Sequence, residues 1–146
     1  PSFYERVREM SQRQPLLIAA NTSLGIAIFE MILKKAAHAL KSYDITLHEA
    51  HHIHKEDAPS GTAKELLSII KSALPQDKNI HVTSTRAGGI LGDHKVSFIG
   101  EDEILTLSHR CINRDLFAKG ALHAAAFLAD QSPGLYSMHD VLDIPL

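Results

Sequence analysis

The 146 residues contain no tryptophan and only 5% aromatic residues, so a stacking platform for nucleic-acid bases is not expected. A single cysteine, Cys111, excludes an internal disulfide and suits a reducing compartment. The formal net charge is −2, which gives no general attraction to nucleic acid or to an anionic membrane surface. No apolar run reaches the roughly 18 residues that cross a bilayer. The longest helical candidate, residues 24–40, is interrupted by Glu30, Lys34, Lys35 and His38. Residues 1–6 lack the basic-then-apolar layout of a signal peptide. These absences point to a soluble, cytoplasmic protein without a nucleic-acid or membrane partner. With 45% hydrophobic and 22% charged residues, the chain has the composition of a folded domain.

Histidine, by contrast, is abundant. There are ten, and His51, His52 and His54 fall almost side by side. Histidine titrates near neutrality and is the commonest metal ligand, so this cluster is the first place to look for chemistry.

The pattern along the chain predicts an α+β domain. Residues 3–14 read as a charged helix with Phe3, Val7 and Met10 at helical spacing. The apolar run from Leu16 to Ala20 reads as a strand buried on both faces. A helix and a buried strand with no earlier strand to pair in parallel look like the last unit of an α/β domain. Asn21-Thr22-Ser23 is a helix-start signal for residues 24–41. Strands are expected at 44–51, 80–86, 95–99 and 103–111, with helices from Ser60 to Leu74 and over 115–130, and a short helical turn over 138–142. The result is a mixed sheet of about four strands with long helices on one face. Strand 103–111 carries apolar residues on both faces, so the other sheet face is expected to serve oligomerisation.

The informative stretch runs Glu49-Ala50-His51-His52-Ile53-His54-Lys55-Glu56-Asp57-Ala58-Pro59-Ser60-Gly61-Thr62-Ala63. It places three imidazoles and an ammonium group at the end of a strand. Ser60-Gly61-Thr62 then opens a helix, where first-turn amides and the positive end of the helix dipole are exposed. Cationic side chains converging on a helix N-terminus describe a pocket for a small carboxylate-bearing metabolite, with a histidine or lysine placed for acid–base work. Singly, each feature has an ordinary explanation: Ser60 as a helix cap, Asp57 as a loop brace, and His38, His48, His81, His123 and His139 as surface groups. A metal is not expected, because adjacent histidines on an extended segment point to opposite faces and no His-x-x-x-His or cysteine spacing accompanies them. A metal-dependent hydrolase is therefore the weakest reading, and a non-catalytic module for small diacids is the principal alternative to an enzyme.

The same stretch resembles the signature of the dihydrodipicolinate reductase family, also called 4-hydroxy-tetrahydrodipicolinate reductase. The similarity extends to the segment from Ala19 to Gly25, to Arg86-Ala87-Gly88, Gly92-Asp93-His94, Leu107-Ser108-His109, Arg114, Phe117-Ala118-Lys119-Gly120-Ala121, and the closing residues 134–142. The resemblance implies NADH- or NADPH-dependent reduction of a cyclic imine dicarboxylate in diaminopimelate and lysine biosynthesis. It also implies a homotetramer with a small dicarboxylate substrate and no metal. By the same resemblance, His51 is the catalytic acid/base and Lys55 the second proton donor and charge stabiliser. His52, Gly61 and Thr62 bind the substrate carboxylate, and Ala19, Ala20, Asn21 and Thr22 contact the nicotinamide end of the cofactor. Residues 1–22 are then a remnant of a Rossmann-type dinucleotide-binding domain, and residues 23–146 the substrate-binding and tetramerisation domain. No Gly-x-Gly-x-x-Gly turn occurs in these residues, so this polypeptide alone is expected to be inactive.

Overall fold

The structure is a computed structural model that describes residues 2–76 and 78–142. Pro1 and residues 143–146, the outer ends of the two expected domains, lie outside the described residues. The chain divides into two units, one from the described parts of Pro1–Ile28 and Asp115–Leu146, the other Phe29–Arg114.

Phe29–Arg114 is built around a four-stranded mixed sheet with strand order β3-β2-β4-β5. Its strands are β2 (Asp44–His51), β3 (Ile80–Arg86), β4 (Asp93–Ile99) and β5 (Ile104–Arg110). β2 and β3 are parallel, joined through helix α3 (Gly61–Ser72), whereas β4 pairs antiparallel with both β2 and β5. Period-two alternation places Ile45, Leu47, Val96 and Phe98 on one face. Against that face pack Ala63, Leu66 and Ile70 of α3, and Phe29, Leu33 and Ala37 of helix α2 (Leu24–Ala39). These helical residues recur at three- and four-residue intervals, the spacing of a single buried stripe. The expected α+β class, mixed sheet and one-sided helices are therefore present. On the opposite face β5 carries Ile104, Thr106, Ser108 and Arg110, of which only Ile104 is apolar, and it is 64% exposed.

The other unit contains α1 (Phe3–Ser11), β1 (Pro15–Leu17), α4 (Asp115–Ala129), β6 (Gly134–Tyr136) and α5 (Met138–Val141). Helix α1 starts in a capping box between Ser2 and Glu5. Two expectations need correction here. The first strand is shorter than residues 16–20 and half-buried, not buried on both faces. Among the described residues no strand precedes it, as expected, but residues 134–136, read as part of the closing segment, form an unexpected strand β6 parallel to it, paired Pro15 with Gly134 through Leu17 with Tyr136. The start signal at residues 21–23 holds: the Ile26 amide donates to Ser23 Oγ (3.2 Å) and the Ser23 amide to Asn21 Oδ1 (2.9 Å).

Candidate active site

The site is organised by a buried charge. Alternation along β2 continues the core row Ile45, Leu47 with Glu49 and His51, so a carboxylate sits where an apolar side chain would ordinarily lie. Glu49 is 0% exposed, and an ion placed there needs compensation. That comes from Arg86, which the β2–β3 register sets beside His51. Its Nη2 donates to Glu49 Oε1 (2.7 Å) and its Nη1 to Oε2 (2.9 Å), the forked pairing that guanidinium geometry favours. Burial pushes the Glu49 carboxyl up. The hydrogen bonds from Arg86, Ser84 and His51, together with the Arg86 charge, outweigh burial and hold it at about 2.

The remaining donors of Arg86 tie down the following loop. Nε donates to the Lys55 carbonyl (3.1 Å), Nη2 to the Asp57 carbonyl (2.6 Å) and Nη1 to the Thr85 carbonyl (2.7 Å). The guanidinium thus makes five hydrogen bonds, as many as it has N–H groups. The loop is also closed locally, by the Lys55 amide on the His52 carbonyl (3.1 Å) and by Lys55 Nζ on Asp57 Oδ1 (2.6 Å). The bond from Lys55 holds the Asp57 carboxyl below its ordinary range.

Glu49 reaches the start of α3 as well. The Ser60 amide donates to Oε1 (3.2 Å), and Ser60 Oγ caps the helix by accepting from the Ala63 amide (3.2 Å). The first intrahelical bond runs from the Lys64 amide to the Ser60 carbonyl (2.9 Å), so the Gly61 and Thr62 amides precede it on the helix end. Ser60 Oγ also shares a hydrogen bond with Nε2 of His94 (3.1 Å). Burial, then the neighbouring His51, push the His94 imidazole down to about 4. The His94 ring lies edge-on to His51, with centroids 5.3 Å apart.

Of the residues selected from sequence, His51, Lys55, Gly61 and Thr62 lie on elements fastened to the one Glu49–Arg86 pair. His51 is buried, with Nδ1 on Glu49 Oε2 at 2.6 Å. His52 opens the loop and lies near His54, their ring centroids 6.4 Å apart. The three clustered histidines therefore separate, one turned inward and two on the loop. Among the described residues, no group of three or more His, Cys, Asp and Glu side chains is arranged to hold a metal ion. Ala19, Ala20, Asn21 and Thr22 belong to the other unit, where they follow β1, and Thr22 Oγ1 donates to the Phe117 carbonyl (2.8 Å). The sequence reading gave no role to Glu49, Arg86, His94 or Gly92. The one available signal was a charged residue in line with the apolar row of each strand, Glu49 after Leu47 and Arg86 after Val82.

Fold and site together define an α+β domain with a histidine–carboxylate–arginine network at one end of its sheet. A family model described as "Dihydrodipicolinate reductase, C-terminus" matches residues 25–142, and the chain belongs to this family. A protein of Brachyspira hyodysenteriae named 4-hydroxy-tetrahydrodipicolinate reductase is 39% identical over 94% of this chain and 66% of its own length. A protein of that name from Xanthomonas campestris pv. campestris is 44% identical over 88% of this chain and 52% of its own. Another, from Methanosarcina acetivorans, is 41% identical over 88% and 54%. The chain thus spans about half to two thirds of the length of these curated relatives. A solved structure described as dipicolinate-bound dihydrodipicolinate reductase from Paenisporosarcina sp. TG-14 shares the fold, with a TM-score of 0.80 at 22% identity, over 93% of this chain and 59% of that one.

Proposed function

We propose that this chain supplies the substrate-binding and assembly part of an NADH- or NADPH-dependent reductase. The enzyme converts dihydrodipicolinate (4-hydroxy-tetrahydrodipicolinate) to tetrahydrodipicolinate in the diaminopimelate route to lysine, in the cytoplasm. The observation that carries this reading is the attachment of His51 and the N-terminus of α3 to one carboxylate, Glu49, and of the Lys55 loop to the Arg86 paired with it. That arrangement suits a small planar diacid. Gly61 and Thr62 lie at the positive end of a helix, which suits one carboxylate, and His52 adds a donor. Lys55 offsets negative charge that builds on the substrate, and His51 exchanges a proton with it.

When bound, the nicotinamide cofactor supplies the hydride. Ala19, Ala20, Asn21 and Thr22 would hold its nicotinamide end, and their chemistry fits. The segment leaves the carboxyl end of β1, a parallel strand, where nucleotides commonly bind. The Asn21 and Thr22 side chains are hydrogen-bonded to the Ser23 amide and the Phe117 carbonyl, and the two alanines before them are small. Residues 1–22 fit the last piece of a dinucleotide-binding domain, and residues 23–146 a substrate and tetramerisation domain. The exposed Ile104 (64%) and Ile112 (85%) support assembly. The phosphate-cradling glycine turn is not among these residues, so the 146-residue polypeptide is expected to bind dicarboxylate without turning substrate over.

Calorimetric titration of this polypeptide with pyridine-2,6-dicarboxylate, alongside pyridine-2-carboxylate, tests the proposal. Clear preference for the diacid supports it, and equal or absent binding of the two removes it. Light scattering tests the assembly, for which a monomer is the contrary result.

A further inference from the structure

We propose that Glu49 is the positioning residue of this site, dictating which ring nitrogen of His51 is left to meet the ligand. The inference rests on the reading of His51 as the proton-handling group. Glu49 is fully buried, so it acts through its neighbours. An ionised carboxylate only accepts hydrogen bonds, and Oε2 lies 2.6 Å from His51 Nδ1. The proton of a neutral His51 is therefore on Nδ1, which leaves Nε2 bare and available for proton exchange. A free imidazole prefers the opposite tautomer, so the carboxylate reverses the intrinsic choice. Aspartate has the corresponding task in the serine protease triad, where loss of its charge leaves the ring in the wrong tautomer.

The carboxylate is itself held in place by donors that converge on it from three places. His51 comes from its own strand, Arg86 from the end of β3, and the Ser60 amide from the start of α3. Moving it toward any one of these leaves the others unpaired in a buried setting. The far side of the ring has room because residue 92 is glycine. A Cβ built on Gly92 would stand 3.2 Å from His51 Nε2, tight contact against the one ring nitrogen that Glu49 does not engage. Glu49 therefore fixes the tautomer of His51 and, through Arg86 and Ser60, the placement of the groups that receive the carboxylates.

Two-bond nitrogen–proton correlation spectra of the ¹⁵N-labelled polypeptide, taken at alkaline pH where imidazoles are neutral, report each tautomer directly. His51, assigned by comparison with the His51→Gln variant, is expected as Nδ1–H, and the loop residues His52 and His54 mainly as Nε2–H. An Nε2–H tautomer at His51 in the unmodified protein overturns the proposal. Glu49→Gln is expected to move His51 toward Nε2–H and to weaken pyridine-2,6-dicarboxylate binding by roughly tenfold or more. An unchanged tautomer in that variant also overturns it. The functional reading is separable: Nδ1–H at His51 in a protein that binds no dicarboxylate removes that reading and leaves the hold of Glu49 on His51 intact. Normal binding with Nε2–H at His51 removes the positioning role alone.

Discussion

The carboxylate of Glu49 accepts a hydrogen bond of 2.6 Å from Nδ1 of His51, two residues further along the same strand. The period of a β-strand makes that contact available, since residues i and i+2 face the same way. Here the contact sits inside a core row, at the point where β2 gives way to the loop carrying Lys55. Buried charge and Lys55 loop are thus parts of one network.

Arg86 is the residue whose loss exposes that dependence. Arg86→Leu leaves Glu49 buried without its cation, a situation that costs about 3–5 kcal/mol in comparable networks. Arg86→Lys restores a charge without the forked geometry and should recover only part of that stability. Urea unfolding monitored by circular dichroism checks both variants. A loss below about 1 kcal/mol in the leucine variant would mean that water, not Arg86, compensates Glu49.

Acidification should destabilise the protein in two successive windows. His94 falls from 6.5 to about 4 on folding, chiefly by burial, so the unfolded chain binds a proton that the folded chain refuses. Its contribution is complete above pH 6.5 and is lost as the pH drops toward 4, on the order of 3 kcal/mol in all. His109, also lowered by burial, acts in the same direction. Glu49 falls from 4.5 to about 2 because hydrogen bonds and the Arg86 charge outweigh burial. Its contribution is complete above pH 4.5 and disappears on approach to pH 2. Urea midpoints measured from neutral pH downward should therefore begin to fall well before carboxylates titrate. The His94→Gln variant should flatten the upper part of that curve, and an unaltered curve would contradict the assignment.

Gly120 separates two opposing effects. Glycine within a helix ordinarily costs about 0.5–1 kcal/mol relative to alanine, so Gly→Ala commonly stabilises. At this position in α4 a Cβ would collide with the backbone carbonyl of Thr22. Backbone cannot swing aside as a side chain can, so the collision should prevail. Gly120→Ala is expected to lower stability by roughly 1–3 kcal/mol. A raised melting temperature would show that the segment from Ala19 to Thr22 does not press on α4.

Much of this architecture is legible in the sequence, and the exceptions share a cause. β2 and β3 occur at residues 44–51 and 80–86 as expected, because alternating residues such as Ile45 and Leu47, or Ile80 and Val82, leave a local imprint bounded by turn residues. β6 leaves none. It is three residues long, directly follows Pro133, and exists because Leu16 and its neighbours, from the far end of the chain, pair with it. The segment from Glu49 to Ala63 stands out by composition, so His51, Lys55, Gly61 and Thr62 can be singled out as candidates without coordinates. Arg86 is not, since its meaning depends on a strand register that sets it beside His51. His94 looks like any strand histidine until α3 brings Ser60 onto its ring.

The central claim is that the Lys55 loop and the helix start at Gly61 form one receptor for a small diacid. Titrating pyridine-2,6-dicarboxylate into the unmodified polypeptide and into its Lys55→Ala and His52→Ala variants tests this most directly. Each substitution should weaken binding by roughly tenfold, the value of one charge-assisted hydrogen bond. Affinity unchanged in both variants would place the diacid elsewhere and contradict the account.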